Sequence, residues 1–195
     1  MSFALATITE PGQYVHVTVM PTEVVQALAP ERGGVYVDVT AGGGGHAAAI
    51  LEASPSARVL AFDRDPRAVQ AARERLAIYG DRASVEQASF DEVERHLASR
   101  GAGEVLGLVA DLGVSTHQLI DAERGMSFRA EGPLDMRMDP TCGETAGELV
   151  EQLELDELAD VIYEYGEERR SRRVARCIKQ ALERGELETT PDLRR

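Results

Sequence analysis

Four consecutive glycines, Gly42 to Gly45, follow directly on the run Val35-Tyr36-Val37-Asp38-Val39 and lead into the helix-forming stretch Ala47 to Ala53. A β-branched apolar run that breaks into glycine and restarts as a helix is a strand–turn–helix unit. Its turn can approach a ligand through backbone alone, because glycine combines positive φ with no side chain. The same alternation repeats downstream. Arg58-Val59-Leu60-Ala61-Phe62 predicts a second strand, ended by Asp63-Arg64-Asp65-Pro66, with Pro66 in the first turn of a helix reaching about Ile78. Ala83 to Gln87 predicts a third strand, Asp91 caps a helix to about Ser99, and Val105 to Ala110 predicts a fourth strand ending at Asp111. Ahead of them, Pro21-Thr22 opens an amphipathic helix with Val24, Val25 and Leu28 on one face, stopped by Pro30 and Gly33-Gly34. Buried, non-alternating strands separated by helices mean βαβ units and a parallel sheet, the α/β class.

The alternation stops at Asp111. Residues 112–140 read as loop, and from Glu144 only helices are expected, at roughly 144–152, 155–165 and 168–184. A last helix starts with Thr190 as cap and Pro191 at its first position, and residues 1–15 read as a loose leader. At 43% hydrophobic and 28% charged residues the chain is a soluble globular one. No window reaches the ~18–20 apolar residues of a membrane helix, and no basic segment with an apolar core opens the chain as a secretory signal would. Cys142 and Cys177 make neither a disulfide framework nor a zinc set, so a cytoplasmic setting is expected. The four histidines fit no metal-ligand spacing. With no tryptophan and 5% aromatics, a broad stacking platform for single-stranded nucleic acid is not expected.

A net charge of −13 argues against a polyanionic partner, yet the charge is uneven. Residues 1–163 carry −15 and residues 164–195 carry +2. Within that second stretch Arg169, Arg170, Arg172, Arg173, Arg176, Lys179 and Arg184 face a single acid, Glu183. Such a local basic face can meet a polyanion on an otherwise acidic protein, or can simply be a solvated helix face.

Three acids end three of the expected strands. Asp38 precedes the glycines, Asp63 ends the second strand about 20 residues on, and Asp111 ends the fourth. In an open parallel sheet all three point into one crevice beyond the carboxyl ends of the strands. Asp63 is placed to accept from ribose hydroxyls, or to cap the helix at Pro66, which Asp65 does equally well. The glycines fit neither a phosphate loop ending in Gly-Lys-Ser/Thr nor G-x-G-x-x-G, since His46 stands where a third glycine belongs. A nucleoside cofactor is indicated, with a dinucleotide and S-adenosylmethionine as contenders. Asp38 disfavours a pyrophosphate and suits a sulfonium or amino group.

The strings Asp111-Leu-Gly-Val-Ser-Thr-His-Gln118, Glu123-Arg124-Gly125-Met126-Ser127-Phe128, Gly132-Pro133-Leu134-Asp135-Met136-Arg137-Met138-Asp139 and Tyr165-Gly166-Glu167-Glu168-Arg169, with Val37-Asp38-Val39-Thr40 ahead of Gly44-Gly45-His46, closely resemble the ribosomal RNA small-subunit methyltransferase H family. The resemblance runs from about His16 to Pro191. It implies a Rossmann-like class I methyltransferase sheet over residues 1–113, interrupted after strand four by a helical insertion domain over 114–195. It further implies S-adenosylmethionine as cofactor and methylation of the exocyclic N4 of a cytidine in the decoding region of 16S rRNA, free or within the small ribosomal subunit. By motif, the cofactor contacts would be Gly44, Gly45, His46, Asp63, Phe90, Asp111 and Gln118, with Phe90 as a wall for adenine. Asp111 is either the acceptor for the target amine, hence catalytic, or a cofactor ligand only. The insertion, with Arg169, Arg172, Arg173 and Arg176, is the expected RNA-facing part.

Two departures stand out. His16-Val17-Thr18-Val19-Met20-Pro21 replaces the family's His-x-Pro-Val-Leu-Leu, displacing the proline. Family members also continue beyond the equivalent of Arg195, so strand four is expected as an open edge, covered by further chain or in a homodimer. A non-catalytic remnant that binds cofactor or RNA without turnover is the alternative.

Overall fold

Parallel strands need crossovers, and the helices between them sort by the direction in which each crossover travels. In the computed structural model, which describes residues 18–195, β1 (Gly34–Asp38), β2 (Ala57–Asp63), β3 (Ala83–Gln87) and β4 (Val105–Val109) form one parallel sheet in the order β3-β2-β1-β4. The expected leader and His16 lie outside the described residues. The chain divides into two compact units between His117 and Gln118.

In the first unit, α1 (Pro21–Leu28), α2 (Gly45–Ala53) and α3 (Pro66–Leu76) pack with Tyr36, Val59 and Ala61 in one apolar cluster. On the other side α4 (Val93–Ser99) sets Val93 and Leu97 against Val37, Leu60 and Phe62. β1 to β2 and β2 to β3 step one way across the sheet, whereas β3 to β4 steps back past β1. The order therefore reverses between β1 and β4, where α/β sheets open a crevice at their carboxyl ends. Gly107 permits this packing: a Cβ there would run into Leu28 and Tyr36.

The start of α4 differs from the sequence expectation. Asp91 does not cap; Ser89 opens a 3₁₀ turn over Phe90–Glu92 with a capping box closed by Glu92, and α4 follows. Both residue types cap well, and Ser89 wins because Glu92 stands three residues on to return the bond. Among the described residues β4 pairs on one side only, with β1, and Leu108 is 55% exposed.

The second unit holds more structure in 112–140 than the expected loop. α5 (Thr116–Ile120) leads into it and a 3₁₀ turn covers Ala122–Arg124. Around that turn the chain folds back on itself. Buried Arg124 donates to the carbonyls of Arg137 and Met138, and Met136 N–H donates to the Arg124 carbonyl. α6 (Ala146–Gln152), α7 (Leu155–Gly166) and α8 (Ser171–Glu183) then close over Leu158, Ala159 and Ala175. α8 begins later than expected because Glu167 takes a left-handed conformation, φ 51°, and ends α7 first. For α9 (Thr190–Arg194) the cap is Thr189, not Thr190, with Thr189 Oγ1 donating to Asp192 at 2.6 Å. Thr190 is instead fully buried; its hydroxyl donates to the Ala130 carbonyl and accepts from Gly132 N–H. Among the described residues no helix is long and apolar enough to cross a membrane.

Candidate active site

The turn after β1 is fastened at three points. Thr40 N–H donates to Asp38 Oδ1 at 3.1 Å, Ala41 N–H to the Phe62 carbonyl at 2.8 Å, and Gly42 N–H to Asp63 Oδ2 at 2.7 Å. Gly42 and Gly44 both take positive φ, 51° and 75°. A Cβ on Gly44 would press on the backbone of Ala72 and on Leu76 of α3. The glycines thus do two jobs: they turn the chain left-handed, and they let α2 start hard against α3.

Asp38, at the end of β1, is fully buried. Its Oδ1 is bonded to Thr40, but Oδ2 has no hydrogen-bond partner among the described residues. Burial pushes its pKa from an ordinary 3.8 up to about 7, against the Thr40 N–H, and the charges of Asp63 and Asp111 add to the rise. Burial likewise raises Asp63, opposed by the N–H groups of Asp65 and Gly42. Three acids at neighbouring strand ends therefore repel one another, which is a cost unless a cation or hydroxyl donors join them.

Asp65, not Asp63, caps α3, accepting from Arg67 N–H at 3.0 Å. That leaves Asp63 for other work. Its two oxygens take one N–H each, from Gly42 and from Asp65. A carboxylate has about four acceptor positions, so roughly two remain, the number that a ribose diol uses.

Asp111, just past β4, is half-exposed, with its Oδ2 3.7 Å from Nε2 of buried His46, an ion pair when the ring is protonated. Its backbone N–H donates to Thr40 Oγ1 at 2.7 Å. Thr40 is the positioning residue that sequence reasoning missed as such. It was visible only as part of a string, because the bond joins residues 71 apart. Thr40→Val keeps the shape and deletes the acceptor. It is expected to cost ~1 kcal/mol in urea unfolding, with Thr40→Ser restoring wild-type stability; a valine variant as stable as wild type would show the bond idle.

Phe90 lies three residues beyond Gln87, which pairs with Asp63 in the sheet, so its ring stands at the same carboxyl-end rim and is 64% exposed. The structure thus brings Asp38, Gly44, Gly45, His46, Asp63 and Asp111 to the carboxyl ends of β1, β2 and β4 in the first unit. Gln118 is the first residue of the second unit and is buried. Arg169, Arg172, Arg173 and Arg176 are all exposed on that unit around the start of α8. Arg172 shares a solvent-facing ion pair with Asp156 at 3.6 Å, of little energetic weight.

The residues of the first unit fit a nucleoside cofactor with a cationic group. The orphaned, buried Asp38 Oδ2 wants a donor, Asp63 has spare acceptor capacity, and the glycine turn keeps side chains out of the way.

The sequence is similar to those of known proteins. Ribosomal RNA small subunit methyltransferase H of Sorangium cellulosum is 63% identical over 180 residues, 92% of this chain and 57% of that protein. The proteins of the same name from Geobacter sulfurreducens and Synechococcus elongatus are 51% and 46% identical, over 91% and 89% of this chain and 58% and 57% of theirs. The chain spans under three-fifths of the length of these relatives. Residues 13–195 match the model of one family throughout, and the chain accordingly belongs to the MraW methylase family.

Proposed function

We propose that this chain carries the cofactor crevice of an S-adenosylmethionine-dependent rRNA methyltransferase whose target is the exocyclic N4 of a cytidine in the decoding region of 16S rRNA. The observation that carries the reading is the acid cluster at the β1/β4 reversal, with one buried carboxylate oxygen left unpaired. Family membership and the relatives' name support rRNA as the substrate class. The finer identity of the base follows from the resemblance of the motif strings.

When bound, S-adenosylmethionine supplies an electrophilic methyl group. The chain's own residues bind and orient. Asp38 faces the cofactor's positive charge, Asp63 accepts from its ribose, and Phe90 offers an exposed ring to adenine. A cytosine amine is a weak nucleophile because its lone pair is delocalised into the ring, so the reaction gains mostly from holding the amine in line and from a hydrogen-bond acceptor on its N–H. Asp111, half-exposed and backed by His46, is that acceptor in this reading. The role that the resemblance gives Gln118 belongs to the same proposal.

A second reading is a chain that binds nucleoside cofactor or RNA without turnover. Methyl transfer to 16S rRNA by the purified chain separates the two.

Calorimetric titration with S-adenosylmethionine, with NAD as control, tests the crevice. Selective binding is expected, and Asp63→Ala should weaken it by ~1.5–3 kcal/mol, the range for hydrogen bonds to a charged group. A folded wild-type chain that binds neither cofactor, or an alanine variant with full affinity, would sink the assignment.

A further inference from the structure

Outside the crevice, an open cavity of about 450 Å³ lies between the last turns of α7 and the start of α8, lined by Asp160, Tyr163, Arg169, Arg170, Arg172 and Arg173, with Ser171 beside them. Tyr163 is 58% exposed and has no ring or hydrogen-bond partner among the described residues. Asp160 forms no ion pair with any of these arginines, and among the described residues the side chains of Arg169, Arg170 and Arg173 form none; Arg170 meets Glu168 through its backbone N–H alone. The acid and three cations share the cavity solvated rather than paired, so a ligand displaces water and breaks no ion pair of theirs.

The set discriminates between ligand classes. Guanidinium groups suit phosphate, which they grip with paired N–H donors. A free tyrosine face suits a planar base. An inorganic phosphate or an acidic peptide would gain nothing from Asp160 and would be repelled by it. A nucleotide gains, because the exocyclic amine of its base or its sugar hydroxyl donates to a carboxylate. The volume is at the low end of the ~300–1,000 Å³ of small-ligand sites, enough for one nucleotide and too small for a duplex. Tyr163 is the one aromatic ring lining the cavity, in keeping with a single base rather than a stacked run.

We propose that this cavity holds one unpaired ribonucleotide of the RNA substrate, its base on Tyr163, its phosphate between Arg169 and Arg173, and a donor of its base or sugar on Asp160. The proposal rests on the RNA-methyltransferase reading and adds a docking point for a nucleotide other than the one methylated.

The test uses the whole chain and a short single-stranded oligoribonucleotide with one 2-aminopurine, read by fluorescence quenching and anisotropy, alongside a separate S-adenosylmethionine titration. Binding with quenching is expected. Tyr163→Leu should abolish the quench and weaken binding about tenfold. Arg173→Gln should weaken binding comparably and lower the salt slope by about one. Arg184→Gln, the same charge change at the far end of α8, should do much less. Equal losses for Arg173→Gln and Arg184→Gln would reduce the site to diffuse attraction and overturn the proposal, as would an unchanged quench in Tyr163→Leu. Competition by free cytidine 5′-monophosphate as strong as by the oligonucleotide would overturn its assignment to RNA. A wild-type chain that binds S-adenosylmethionine but not the oligonucleotide would overturn the cavity and leave the crevice standing; the reverse result would strike the crevice alone.

Discussion

Asp38→Asn is expected to make the protein more stable at pH 8 than wild type while removing most of its affinity for a cationic cofactor. The Asp38 pKa is about 7 in the folded protein against an ordinary 3.8. Between those values the folded state holds a proton that the unfolded state has released, so stability falls as pH rises through this window. The group's favourable contribution is complete below about pH 4 and is lost as pH passes 7. The full difference corresponds to roughly 4 kcal/mol at most. Asparagine cannot ionise, so the variant should lack this part of the slope, and the two proteins should differ more at pH 8 than at pH 5. Urea unfolding at both values reads it, and parallel pH profiles would refute the buried, strained carboxylate. The binding side runs the other way. A cation beside Asp38 favours its ionised form, so wild-type affinity for S-adenosylmethionine should rise from pH 6 to 8, with proton release on binding. The asparagine variant should bind about 10–100-fold more weakly at pH 8, the equivalent of one charged hydrogen bond, with a flatter profile.

Gly125→Ala should damage the second unit severely. Gly125 takes φ 63°, and a Cβ there would sit inside the van der Waals reach of the Pro133 carbonyl oxygen. That oxygen belongs to backbone locked by the Arg124 guanidinium on the carbonyls of Arg137 and Met138, and by Met136 N–H on the Arg124 carbonyl. Nothing flexible can give way. Gly185, φ 68°, has open space where its Cβ would go, so Gly185→Ala meets the backbone cost alone. We expect ~1 kcal/mol for Gly185→Ala and at least ~3 kcal/mol for Gly125→Ala, read by urea unfolding and by limited proteolysis within 118–195. Equal costs would mean that the fold-back is loose.

That fold-back also shows why parts of the sequence were legible and others were not. Val35 to Val39 ending in glycine, and Pro66 after two aspartates, carry local instructions, and the sheet and its crossovers could be read from them. Asp38, Asp63 and Asp111 could be grouped because the topology of a parallel sheet brings strand ends together whatever lies between. Residues 112–140 carry few apolar side chains at regular spacing. Their order comes from carbonyls and a buried guanidinium, contacts that periodicity does not register. Thr189 and Thr190 are chemically alike, and only the position of Asp192, three beyond Thr189, decides which one caps. The Thr40–Asp111 bond and the cavity beside Tyr163 likewise arise from residues that meet only in three dimensions.

The placement of Thr190 bears on the order in which a growing polypeptide acquires shape. All four strands and the three acids of the crevice are complete by Asp111. The second unit, by contrast, is tied from Ala130 and Gly132 across to Thr190. During synthesis from the N-terminus, the crevice can therefore assemble while the helices that follow still lack their closing contact. The nascent second unit has to stay soluble until Thr190 arrives, and the nine charged side chains of α7 and α8 suit that wait.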